Sequence, residues 1–115
     1  MHELSVAVSL VEAAEEEAEK HGAAGVRAVH LRLGVLSGVA KEALLFSYEL
    51  ATEGTALAGS RLVIEDSPVV VFCPTCRERR PIHSLQSFCC ATCDTPATDV
   101  LQGRELEVIA LEICE

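Results

Sequence analysis

An α+β fold is predicted by three observations. Two segments place apolar residues at helical spacing, and three others read as strands, two β-branched and apolar and one alternating. Between the second and third strand lies a stretch of different character, residues 67–103, which holds five of the six cysteines and all four prolines. The chain is therefore expected to comprise two helices, three strands and one small inserted module. At 115 residues there is room for one ordinary domain or two very small units, and half the residues are hydrophobic, enough for a packed core. With three Phe, one Tyr and no Trp, that core must be built from small aliphatic side chains.

The first helix is expected over residues 4–20, where Leu4, Ala7, Val8, Val11, Ala14 and Ala18 recur at steps of three and four and so share one face. Glu12, Glu15, Glu16, Glu17 and Glu19 cover much of the remainder as a solvated surface. Gly22 follows His21 at the place where a helix needs a left-handed residue to close. From Arg27 to Val35 the period changes to two: Val29, Leu31, Leu33 and Val35 point one way, and Ala28, His30 and Arg32 the other, as in a half-buried strand. Gly34, Ser37 and Gly38 interrupt it. Leu44, Leu45, Tyr48 and Ala51 then restart a helical pattern that Gly54 ends. Arg61–Asp66 reads as a second strand stopped by Pro68, and Glu105–Ile113 as a third.

Charge and composition exclude several roles. Eighteen acidic against nine basic side chains leave a formal charge of −9, a field that repels phosphate backbones, so nucleic acid is not an expected partner. The sequence contains no run of about 18 apolar residues. It also opens without a basic region followed by an apolar stretch, so neither a membrane span nor a secretory signal is expected, and the expected compartment is the cytoplasm. Six cysteines in such a chain argue for metal or redox chemistry rather than a disulfide framework.

Those cysteines are patterned. Cys73-Pro-Thr-Cys76 and Cys90-Ala-Thr-Cys93 are two CxxC pairs separated by thirteen residues. A CxxC turn presents two thiolates to one tetrahedral ion, and two turns joined by a short hairpin close the shell with four sulfurs. A closed shell leaves no position for water, so zinc held by Cys73, Cys76, Cys90 and Cys93 is expected to be structural, holding a segment too small to fold alone. A thioredoxin-like redox site at Cys73 and Cys76 leaves the second pair unexplained. Cys89 in place of Cys90 makes a poorer CxxxC turn. Cys114 reads as a small hydrophobe, His83 as a surface side chain between the turns, and Arg77, Arg79 and Arg80 as a basic run broken by Glu78.

The opening Met1-His2-Glu3-Leu4 carries a second candidate site. An α-amino group, the amide nitrogen after it and an imidazole at position two form fused chelate rings, and deprotonated amides suit a square-planar ion such as Ni(II) or Cu(II). Glu3 offers either its amide nitrogen or its carboxylate, as a ligand or as a partner to one. A bulky His2 disfavours removal of Met1. The amine must be deprotonated, and its ordinary pKa is about 7.7–8.0, so such binding weakens as pH falls. A histidine at position two of a soluble protein is ordinarily unengaged, so this tetrapeptide gains weight only from its context.

That context is the opening MHELS, the stretch HLRLGVLSGV at 30–39, the passage EGTALAGSRLVIED at 53–66, the two CxxC turns thirteen residues apart, and the closing GRELEVIALEI at 103–113. In this order and spacing the chain resembles, end to end, the HypA/HybF family of hydrogenase-maturation nickel metallochaperones. The resemblance implies two helices with a three-stranded sheet as a nickel-binding domain, residues 1–66 plus 104–115, and an inserted zinc-ribbon-like module, residues 67–103. It implies nickel at His2 with main-chain nitrogens of Met1 and Glu3, and structural zinc at the four cysteines. Some relatives carry an acidic residue where this chain has Ala40, a position without a ligand side chain here. A carrier rather than an enzyme is implied, delivering Ni(II) to the hydrogenase large subunit with a maturation GTPase; some members also serve urease maturation factors, and a homodimer is compatible with the reading. The competing expectations are a zinc-ribbon interaction module with an incidental His2, and a thiol oxidoreductase.

Overall fold

The computed structural model describes residues 3–114. Its order is α1 (Glu3–Lys20), β1 (Gly25–Gly34), α2 (Lys41–Thr52), β2 (Arg61–Ser67), β3 (Val70–Cys73), β4 (Glu78–Ser84), β5 (Ser87–Cys90), β6 (Asp99–Gln102) and β7 (Leu106–Cys114). Two sheets result: three strands in the order β2-β1-β7, and four in the order β5-β4-β3-β6. The chain divides into two compact units. One takes the segments up to Arg32, Gly38–Glu65 and from Glu107 onward; the other takes Leu33–Ser37 and Asp66–Leu106.

In the first unit the aliphatic stripe of α1 buries Val6, Ala7, Leu10, Val11, Ala14 and Ala18. The expected stripe was rotated from this: Leu4 and Val8 stand half exposed, and Val6 and Leu10 take their place. Apolar residues at 4, 6, 7, 8, 10 and 11 cover more than half a turn, so several faces satisfied the spacing and packing chose among them. Gly22 closes the helix as expected. It adopts φ +66, its amide donates to the carbonyl of Glu19, and that of Ala23 donates to Ala18, the paired bonds of a Schellman motif.

On β1, Val29, Leu31 and Leu33 are buried as the alternation required, but Ala28 is buried too, and Val35 lies beyond the strand and is exposed. A methyl side chain can be covered on either face of a sheet, so alternation is weakest at alanine. α2 packs Leu44 and Tyr48 inward, and the Tyr48 hydroxyl meets Ser60 Oγ at 2.7 Å, which satisfies the one polar atom of that buried ring. Ala40, the residue that precedes α2, makes no side-chain cap to the helix. The carboxylate of Glu3 substitutes, accepting from the Ala40 amide at 3.0 Å at the positive end of the helix dipole.

In the second unit the inserted stretch, for which no strands were named from the sequence, contains four short ones. They were hidden because strands of four residues, some turned by cysteine rather than by glycine, carry almost no periodic signal. Their core is small. Val69, Val71 and Ala97 are buried, with Leu36, Ile82, Phe88 and Val100 packed against them. Gly34 and Gly103 meet in this unit: a Cβ on Gly34 would lie 2.2 Å from the Gly103 carbonyl oxygen.

Gly34→Ala is therefore expected to lower stability by about 2–3 kcal/mol, since backbone must move. Gly22→Ala, strained in φ but with open space around it, should cost only about 1 kcal/mol. Urea unfolding midpoints of the two variants check the order, which equal losses would contradict.

Candidate metal centre

Two loops of the second unit carry the four thiols. Cys73 ends β3 and Cys90 ends β5, so each CxxC begins where a strand stops. The turns repeat one geometry. The amide of Arg77 donates to the Cys73 carbonyl at 2.7 Å, and that of Asp94 donates to the Cys90 carbonyl at 2.8 Å. The residue after each pair is left-handed, Arg77 at φ 57 and Asp94 at φ 63. Within the first turn the Cys76 amide donates to Cys73 Sγ at 3.3 Å, and within the second the Thr92 amide donates to Cys90 Sγ at 3.4 Å. Amide donors aimed at sulfur stabilise its anionic form.

The four sulfurs of Cys73, Cys76, Cys90 and Cys93 lie within 4.8 Å of one another. Cys73 to Cys93 and Cys76 to Cys93 are 3.5 Å apart, and Cys76 to Cys90 is 4.0 Å. Metal–sulfur bonds of about 2.3 Å at tetrahedral angles set sulfurs about 3.8 Å apart, so the spacing fits one ion. All six cysteines are free thiols. The donor chemistry points the same way. Cys93 beside Cys76 pushes the Cys76 thiol up to about 12. The Thr95 hydroxyl and amide draw Cys93 down to about 6. Thiols this close resist holding charge together, and a bound divalent cation removes that resistance by deprotonating its sulfur ligands.

Two side chains that spacing could not single out support the cluster. Thr95 Oγ1 lies 3.1 Å from Cys93 Sγ and donates to Thr75 Oγ1 at 2.9 Å, linking the second turn to the middle of the first. Arg80 on β4 brings its guanidinium to Cys76 and to Glu78 Oε2 at 2.7 Å. A cation there offsets the double negative charge that four thiolates and a divalent ion carry. Arg79 bonds Gln102 at 3.2 Å, so two members of the basic run are engaged within the unit. Cys89 and Cys114 lie outside the cluster, and His83 pairs with Asp94.

The other candidate site is described in part. Met1 and His2 lie outside the described residues. Glu3 is the first residue of α1, and its carboxylate accepts from the Ala40 amide. His21 pairs with Glu17 at 3.4 Å and His30 with Glu112 at 2.8 Å. No helix among the described residues is long and apolar enough to cross a membrane.

Cys90→Ser is expected to lose the bound divalent ion and hydrogen-exchange protection across the second unit, whereas Cys89→Ser keeps both. Metal content by elemental analysis, with exchange followed by mass spectrometry, checks this; retained metal in Cys90→Ser would remove it from the ligand set.

The sequence profile of the family described as "Hydrogenase/urease nickel incorporation, metallochaperone, hypA" matches residues 1–113. A hydrogenase maturation factor HypA of Chloroflexus aurantiacus is 48% identical over 112 residues, covering 97% of this chain and 98% of its own. That of a Roseiflexus species is 49% identical over 112 residues, covering 97% and 91%. Among solved structures, the solution structure of the Ni metallochaperone HypA from Helicobacter pylori superposes with a TM-score of 0.69 at 28% identity, over 99% of this chain and 98% of that one. Profile, relatives and fold agree over the whole length, and the chain belongs to the HypA family of hydrogenase and urease nickel-incorporation metallochaperones.

Proposed function

We propose that this chain carries Ni(II) at its N-terminus and delivers it during maturation of nickel-iron hydrogenase, with a structural Zn(II) in the four-cysteine centre. What supports the nickel reading is the family match over residues 1–113, with the His2 imidazole and main-chain nitrogens of Met1 and Glu3 as its ligands. The Glu3 carboxylate is engaged at the start of α2, where it accepts from the Ala40 amide. Amide and imidazole nitrogens are the donors that Ni(II) selects. Ala40 contributes only the amide that holds the Glu3 side chain in place.

Cys73, Cys76, Cys90 and Cys93 hold the zinc, which supplies a cross-link between the two turns and no open coordination position. Residues 1–66 with 104–115 thus form the nickel-binding part and 67–103 the zinc-binding module. The chemistry separates the roles. A terminal site can be approached and emptied by ligand exchange, whereas four converging thiolates retain their ion. No step requires bond-making on a substrate other than metal ligation, so the chain acts as a carrier and not an enzyme. In the cytoplasm its partners are the hydrogenase large subunit as client, a maturation GTPase, urease maturation factors and a second copy of the chain as a homodimer.

The test is metal content after Ni(II) loading and desalting. Wild type is expected to hold one zinc and one nickel, and His2→Ala one zinc and no nickel. Stoichiometric nickel in His2→Ala would overturn the assignment. Because the terminal amine must lose its proton, nickel in the wild type should also fall as loading pH drops below about 7.7.

A further inference from the structure

The closing strand β7 is an edge of its sheet, with β1 as its one neighbour among the described strands. Edge strands are ordinarily short, charged or covered, because a free row of N–H and C=O groups templates pairing with another chain. This one is nine residues long, and Glu107–Ala110 are exposed in succession, with Val108 39% and Ile109 40% accessible. Facing it are Ala13 and Glu17 of α1 and, just beyond that helix, His21, and together with Val108–Leu111 they line an open groove of about 460 Å³. The small side chain of Ala13 leaves room, and the apolar strand supplies a wall.

Charge determines what fits. α1 carries six glutamates and one lysine, and the helical wall of the groove presents Glu17 with Glu16 and Lys20 close by. β7 itself contains two glutamates and no basic residue. A second copy adding its own β7 would bring two such acidic strands and helices together, in chains already at −9 each. We propose that the groove between α1 and β7 receives an extended basic segment of another protein, which adds as a strand to β7. On the face it turns toward α1 its apolar side chains enter the groove, and a Lys or Arg at the end of that same face meets Glu16 and Glu17. This does not rest on the nickel reading, since none of the residues involved belongs to either candidate metal site.

The test uses the full zinc-loaded chain, labelled with nitrogen-15, and two nine-residue capped peptides with an alternating valine–threonine centre, one carrying a lysine pair at each end, so that one lysine of each pair lies on the groove side, and the other carrying glutamate pairs there. The lysine peptide is expected to shift and protect the amides of Val108–Leu111 and to shift those of Ala13–Glu17. The glutamate peptide should bind at least about tenfold more weakly. Glu17 is exposed on a helix surface, so Glu17→Lys should fold normally, weaken the lysine peptide and strengthen the glutamate peptide. Equal binding of both peptides, binding of neither, or shifts confined to other residues would overturn the proposal. So would concentration-dependent protection of Val108–Leu111 without peptide, which would make a second copy the occupant.

Discussion

Closure of the two CxxC turns on one another is the constraint on which the second unit depends. Its buried cluster numbers three small residues, Val69, Val71 and Ala97, far too little apolar area to offset the entropy of ordering some forty residues. The strands there are four to seven residues long, below what isolated hairpins sustain in water. What joins the ends of β3 and β5 is the sulfur cluster, with the Thr95 to Thr75 hydroxyl contact spanning it. The unit is organised around its ligands instead of around a core, and Arg80 tempers the charge that such an arrangement concentrates.

The first unit solves a different problem. It has an aliphatic core drawn from α1, β1 and α2, with Leu31, Leu44 and Tyr48 almost wholly enclosed, and packing alone can hold it. Its polar work is done at the ends of elements. Glu3 serves the start of α2, and Glu15 Oε2 accepts from the Ala56 amide at 3.2 Å beyond the end of that helix. Two acidic side chains of α1 thereby fix both ends of α2 alongside it. Part of what reads in the sequence as an acidic surface is in this way an internal fastening.

How much of this was legible follows from the range over which each signal acts. Helices and long strands announce themselves locally, and α1, β1, α2, β2 and β7 lie within a few residues of their expected limits. The cysteines were legible because two donors at fixed spacing constrain geometry almost independently of context. Which face of α1 turned inward was not, because Leu4 and Val8 are as apolar as Val6 and Leu10, and only the neighbouring elements distinguish them. The four short strands, the attachment of Leu33–Ser37 to the second unit, and the parts taken by Thr95 and Arg80 all depend on contacts distant in sequence. No local pattern encodes them.

The left-handed residues that follow each CxxC have a thermodynamic consequence. Arg77 and Asp94 both occupy a region that glycine enters freely and other residues enter at a cost of roughly 1–2 kcal/mol, somewhat less for aspartate. The hydrogen bonds from the Arg77 amide to the Cys73 carbonyl and from the Asp94 amide to the Cys90 carbonyl hold them there, together with the closed arrangement of sulfurs. Part of what a bound ion contributes by drawing the sulfurs together therefore goes into keeping these two backbones in place and is withdrawn from its own affinity. Metal occupancy and backbone conformation are in this sense a single equilibrium: the emptied turns have a downhill path away from the shape that binds, and recapture must climb it again.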